Sequence, residues 1–274
     1  MILSFLLSLT VQAEVGIGSY GRVNVSADPS GGQGDAVNVV SYPSRIEKGP
    51  YLELDIVFHE KVSDQMKYRV VVTPALLGNL FHYDGVWDSD LALRNLYVEL
   101  SGRGKTKYWA GSRMYRGDDV YLLDFWPLDT LNTVGGGLTT KVFGLKVDSH
   151  IGLNRLDTDW QYQQQFQQQP GGVGTDPIVV LDRQRMVSSL KVGKVFASDN
   201  LSFRIRGYGE FHYLPEGTRI VEDFISENLA TDMGSLVGMQ LSSWGWSDQS
   251  FAHLWVKYAT GLGCLGDLGI PKTG

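Results

Sequence analysis

Leu201 to Tyr213 read LSFRIRGYGEFHY, and alternate letters of that string have opposite chemistry. Leu201, Phe203, Ile205, Phe211 and Tyr213 share one parity, while Arg204, Arg206, Tyr208, Glu210 and His212 share the other. Successive side chains of a β-strand point to opposite faces, so a period of two predicts a strand with one greasy and one wet face. The split recurs between Val15 and Val25, where Val15, Ile17, Val23 and Val25 oppose Tyr20, Arg22 and Asn24. It recurs in YLELDIVF, where Leu52, Leu54, Ile56 and Phe58 oppose Tyr51, Glu53 and Asp55. In NLYVEL, Leu96, Val98 and Leu100 oppose Asn95, Tyr97 and Glu99.

Alternation of this kind fits a soluble antiparallel sandwich as well as a membrane barrel, so the connections have to decide. Strands are predicted at 15–26, 50–59, 66–76, 95–101, 104–112, 137–144, 146–155, 178–194, 200–213, 231–243 and 250–261, eleven in all. The gaps between them alternate long and short throughout. Transmembrane barrels have this rhythm, with tight turns at one end and long loops at the other. Aromatics near strand ends (Phe58, Tyr108, Trp109, Phe211, Tyr213, Trp244, Trp246 and Trp255) suit interfacial girdles. The expected fold is all-β, an antiparallel transmembrane β-barrel.

Composition and termini agree with export. The chain has 274 residues, a net charge of -6, one cysteine and 33 glycines, which excludes collagen-like, disulfide-framework and strongly basic nucleic-acid-binding classes. Residues 1–13, MILSFLLSLTVQA, are apolar and end in small residues, as a signal peptide cleaved before Glu14 would. A buried N-terminal strand is the other reading of that run. Beyond it no window offers the roughly 18 to 20 consecutive apolar residues a spanning helix needs. The Gln-rich stretch 160–172 reads as a polar outer loop or a low-complexity linker.

Motifs for chemistry are weak. Gly16-Ile17-Gly18-Ser19-Tyr20-Gly21 matches a dinucleotide fingerprint but lies inside a strand, with no helix opening after it. The five histidines lack metal-site spacing, Cys264 has no second thiol, and no nucleophile elbow is present. No cofactor or metal is expected. Carboxylates at Asp118, Asp119, Asp124 and Asp129 could serve a glycosidase. Set among Arg113, Arg116 and Trp126, they also offer what sugar passage needs: charged partners for hydroxyls beside flat faces for pyranose rings.

From residue 14 onward the chain resembles the maltoporin family of outer-membrane sugar porins, most strongly over 94–129. Tyr20 and Arg22 match a family pair on the lumen side of the first strand. Arg45 and Tyr51 resemble the next pore arginine and slide aromatic, and Trp87 and Arg94 a further such pair. In the loop Tyr115, Asp119, Val120, Asp124, Phe125 and Asp129 match, Trp126 stands for a tyrosine, the arginine shifts to Arg116, and Tyr121 replaces a histidine.

The resemblance implies a trimeric, roughly 18-stranded barrel of the bacterial outer membrane, of which this chain would lack the C-terminal third. It implies that residues 113–136 fold inward as a constriction. Sugar hydrogen bonds would come from Arg22, Arg45, Arg94, Arg113, Arg116, Asp119, Tyr121 and Asp124. The aromatic slide would be Tyr20, Tyr51, Trp87 and Trp126. Facilitated diffusion of maltodextrin-like oligosaccharides, without enzymatic chemistry, is the expected function. A general or anion-preferring porin, using Arg22, Arg94, Arg204 and Arg206, is the first alternative, and a secreted soluble glycan-binding sandwich the second. Oligosaccharide and outer-membrane lipid are the expected partners, with no nucleic acid.

Overall fold

The computed structural model describes residues 14–22, 29–30, 50–63, 65–78, 89–102, 104, 106–116, 128, 130–155, 158–168, 172, 174–198, 201–222, 225–247 and 250–264. Fifteen strands occur among them: β1 Glu14–Arg22, β2 Tyr51–Ser63, β3 Met66–Gly78, β4 Ser89–Ser101, β5 Lys107–Arg116, β6 Thr130–Val142, β7 Leu145–Asn154, β8 Tyr162–Gln168, β9 Thr175–Asp182, β10 Arg185–Ala197, β11 Ser202–Leu214, β12 Gly217–Glu222, β13 Ile225–Leu229, β14 Asp232–Trp244 and β15 Phe251–Gly261. Eleven form one antiparallel sheet in the order β1-β2-β3-β4-β5-β6-β7-β10-β11-β14-β15. The pairs β8–β9 and β12–β13 are separate two-stranded hairpins within two of the long connections. The fold is thus a single meander in the manner of a barrel wall, with β1 and β15 at its edges and no closure between them among the described residues. The sandwich alternative, which needs two packed sheets, does not describe it.

Register explains the faces. Ile17, Ile56, Val72, Leu96, Ser112, Val134, Leu153, Met186, Tyr213 and Met233 are successive cross-strand partners, so one nearly unbroken apolar row crosses ten strands. Much of this face lies open, with Ile17 at 75% and Leu254 at 71% exposure. The opposite face carries the row Arg69, Glu99, Trp109, Gly137, His150, Ser189, Glu210 and Leu236. There His150, Gln240 and Ser242 are each only 1% exposed, and among the described residues no second sheet covers them. Side chains of a single sheet bury one another when it curves toward them, which makes the polar face the concave one.

An exposed apolar outside around a polar inside reverses the order of a water-soluble protein and matches the requirement of a lipid-embedded wall. Leu96→Arg, near the middle of β4, is therefore expected to destabilise the protein by about 2–4 kcal/mol in lipid vesicles. Urea titration of the vesicle-inserted protein checks this; an unchanged midpoint would mean the outer face does not meet hydrocarbon.

The strand boundaries differ from expectation chiefly in four places. β4 begins at Ser89 rather than 95, because a bulge between the partners of Thr73 and Pro74 inserts Arg94 and reverses the parity of the strand above it. The expected strand 178–194 is two, β9 and β10, broken at Arg183 and Gln184. The Gln-rich stretch is ordered as β8, paired with β9, rather than as a loop. Arg113 and Arg116 lie in β5, and residues 130–136 in β6, so the segment linking these strands is shorter than 113–136.

Of the expected girdle aromatics, Tyr108, Phe58 and Phe211 point outward and are exposed. Trp109 does not join them: it is 4% exposed, on the concave face. Trp244 is inward too, beneath the Arg204 guanidinium. Parity decides this, since Trp109 is the direct partner of the inward Glu99.

Candidate functional site

At the long-loop end of the concave face, β1, β2 and β4 bring four expected residues together around one aromatic ring. The Tyr51 ring lies 5.1 Å from the Arg22 guanidinium and 5.4 Å from that of Arg94, with the Tyr20 ring 6.1 Å away. Arg22 and Tyr51 are direct cross-strand partners, as are Tyr20 and Glu53. Arg94 donates to the Tyr51 hydroxyl, and its Nε pairs with Glu53 at 3.0 Å. Tyr51 in turn donates to Glu53. Tyr51 is 6% exposed, so it supports its neighbours instead of offering its own face. Tyr20, half exposed, offers the accessible ring.

The bulge in β4 is what places Arg94. With parity reversed there, Arg94 and Asn95 both serve the inner side. Asn95 donates to Thr73 at 3.1 Å, Thr73 to Asp55 at 2.5 Å, and the Met114 amide donates to Asn95 at 2.9 Å. A polar ladder therefore crosses β2 to β5 just beside the arginine, holding it over Tyr51 and against the Met114 sulfur at 2.9 Å.

A second group lies further along β4 to β7. The Arg113 guanidinium stands 4.7 Å above Tyr97 and 5.1 Å above Trp109, and these two rings meet edge-on at 6.2 Å. Trp109 stacks on His150 at 5.6 Å with 20° between planes. His150 is fixed by Thr133 at 2.6 Å and Ser189 at 3.1 Å. Glu99 receives both Arg69 and Lys107 at 3.2 Å. Glycine makes room for the indole: a Cβ at Gly137 would sit 2.6 Å from Trp109 Nε1.

Leu128, between β5 and β6 in sequence, is buried elsewhere. It packs on Tyr208 of β11 and Leu236 of β14, beside Ala259 of β15. Those side chains belong to the concave face, on strands several places removed from β5 and β6.

The two extra hairpins join at the long-loop end. The Gln163 side-chain amide pairs with both backbone groups of Ile220, donating to its carbonyl at 2.5 Å and accepting its N–H at 2.7 Å. Buried Arg183 donates to the carbonyls of Pro215, Trp160 and Ala230 at 2.6, 3.1 and 2.6 Å. Burial lowers its pKa, opposed by Asp232. Arg219 covers Trp160 at 3.6 Å, and Arg155 covers Tyr162 at 3.9 Å.

Of the expected site residues, Tyr20, Arg22, Tyr51 and Arg94 meet in one cluster, and Arg113 stands in the second. Arg116 ends β5. Arg45, Trp87, Asp119, Tyr121, Asp124 and Trp126 lie outside the described residues, as does the expected signal peptide. The partners that the resemblance did not supply, Glu53 and Tyr97, were marked by alternation alone, since both fall on wet parity. His150 carries no such mark in its local sequence.

A family model described as LamB porin matches residues 15–272, almost the whole chain. No curated protein matches it.

Proposed function

The chain belongs to the LamB porin family, and from that premise we propose that its concave face lines a pore for maltodextrin-like oligosaccharides. Porins of this family are outer-membrane β-barrels and channels, with a sugar-transport role in general. Passage here is diffusion through a wall of weak, repeated contacts, without bond-making chemistry. The observation that carries the reading is the cluster of Tyr20, Arg22, Tyr51, Glu53 and Arg94, which sets an exposed ring beside paired charges at the long-loop mouth. Ring faces pack on pyranose surfaces while the ions serve hydroxyls.

The role of residues 113–136 as the constriction is supported by Leu128, whose side chain is seated on β11 and β14 instead of on its neighbours in sequence. Arg113, Arg116, Asp119, Tyr121 and Asp124 contribute hydrogen bonds there, and Trp87 and Trp126 extend the line of rings that starts at Tyr20. Arg45 joins the hydrogen-bonding set. The protein acts as a homotrimer in the outer membrane after removal of residues 1–13.

Planar-bilayer conductance tests the reading. Maltose, maltotriose and maltohexaose are expected to block the current with affinity rising with chain length; absence of block by all three would overturn it. Leu128→Ser removes the anchor, a change worth about 2–5 kcal/mol for a buried leucine truncation. Single-channel conductance is expected to rise and sugar block to weaken in that variant.

A second reading, anion-preferring diffusion, is favoured by the inward arginines Arg22, Arg94, Arg204 and Arg206. It predicts a reversal potential set by chloride in a potassium chloride gradient, with no dependence of block on sugar length.

A further inference from the structure

Charge is distributed unevenly along the concave face. Toward the long loops, Arg94 faces Glu53 and the nearby Thr73 serves Asp55. Toward the short turns the balance is lost. A recess of about 330 Å³ there is lined by Lys141, Lys146, Lys191, Arg204 and Arg206 against one carboxylate among the described residues, Asp148. Its size lies at the small end of ordinary ligand sites, roughly 300–1,000 Å³. Asp148 is already engaged, by Lys146 at 3.3 Å and by the Thr139 hydroxyl at 2.6 Å.

Register brings these cations to one place. Lys141 is the direct partner of Lys146, Lys146 of Gly193, and Gly193 of Arg206. Arg204 lies two residues from Arg206 on the same strand face, roughly 7 Å away. Gly193 contributes no side chain between Lys146 and Arg206, leaving a hollow flanked by positive groups. Like charges directly opposed across a strand pair are unfavourable, and Asp148 offsets the Lys141–Lys146 pairing only through Lys146.

We propose that this recess is a binding site for a phosphate group, either inorganic phosphate or the phosphate of a phosphorylated sugar. Two guanidiniums match the several oxygens of a phosphate with forked hydrogen bonds, and the lysines supply compact charge. The site lies at the short-turn end, apart from Tyr20 and Arg94, and it rests on the reading of the concave face as a pore lining.

The full protein in planar bilayers tests this with glucose, glucose 6-phosphate and inorganic phosphate added from the short-turn side. Glucose 6-phosphate is expected to block at a concentration at least about tenfold below that of glucose, a difference of about 1.4 kcal/mol. In the double variant Arg204→Gln/Arg206→Gln that advantage disappears while maltotriose block persists. Line broadening of the inorganic phosphate ³¹P resonance by detergent-solubilised protein, lost in the double variant, reads the site without a pore. Block by the sugar ester alone would identify a phosphorylated sugar as the ligand, whereas competition by inorganic phosphate would identify the phosphate group itself. Equal block by glucose and glucose 6-phosphate with maltotriose block intact overturns this proposal alone. Absence of maltotriose block in the unaltered protein overturns the porin reading, and phosphate broadening then still decides the site.

Discussion

Gly137→Val is expected to reduce the yield of folded, heat-modifiable protein by more than about tenfold. Gly137 sits between Trp109 and His150 as cross-strand partner of both, and the indole stacks on the imidazole above it. A Cβ there would press on the Ser149 carbonyl and lie 2.6 Å from Trp109 Nε1. The carbonyl belongs to the β6–β7 ladder and cannot withdraw without breaking it. The indole is wedged between Tyr97 and His150 under Arg113, so it has no second place to go. Overpacking typically costs about 1–3 kcal/mol where side chains can adjust; here backbone is in the way. Gly207→Val is the control, because its nearest neighbour is the Val192 carbonyl at 4.0 Å, an ordinary contact. Equal folded yields of the two variants, compared by migration of unheated and heated samples in SDS gels, would refute the wedge.

Arg94→Ala is expected to raise the half-blocking concentration of maltotriose by about tenfold or more, since hydrogen bonds to charged groups contribute about 1.5–3 kcal/mol. The loss is compound. Glu53, 20% exposed, keeps its charge without its cation, and Tyr51 loses a donor that fixes its ring. A carboxylate left without its arginine at the mouth also moves ion preference toward cations, visible as a shifted reversal potential. Arg94→Lys separates charge from geometry: it restores the reversal potential but only part of the sugar block, because an ammonium cannot span Tyr51 and Glu53 as the guanidinium does. Tyr20→Ala reads the stacking surface by itself, with an aromatic contribution of about 0.5–1.5 kcal/mol. Unchanged block in both Arg94→Ala and Tyr20→Ala would remove the cluster from the sugar path.

Most of the sheet was legible because its two faces differ so strongly. Where Leu201 to Tyr213 alternates, strand, face and partner all follow from parity. The start of β4 escaped because Leu91 and Leu93 are outward on odd numbers while Leu96, Val98 and Leu100 are outward on even ones. Across Arg94 the two patterns cancel, and alternation becomes visible only from residue 95. The break at Arg183 is hidden for a different reason: apolar residues 178–181 of β9 precede it and resume at Met186 in β10, and the short polar stretch between them holds an arginine bound to three distant carbonyls. β8 escaped because glutamine fills both of its faces, leaving no contrast to read.

The candidate site was legible in part. Tyr20, Arg22, Tyr51 and Arg94 carry wet parity or family likeness, and the fold brings them together. The buried position of Tyr51 beneath two guanidiniums depends on three strands at once and leaves no trace in its own neighbourhood. Trp109 was misplaced because a tryptophan near a strand end reads the same whether it faces lipid or lumen until its register with Glu99 is known.

The seat of Leu128 also fixes an order of events. Each strand of the meander pairs with its neighbour along the chain, apart from the two inserted hairpins, so most of the wall can form from local pairings with little loop-closure cost. Leu128 instead packs, among the described residues, on strands far from it in sequence. Its seat on Tyr208 and Leu236 does not exist until β11 and β14 have docked. The docking of Leu128 on the concave face is therefore a late step of assembly, made only once the strands that seat it are in place.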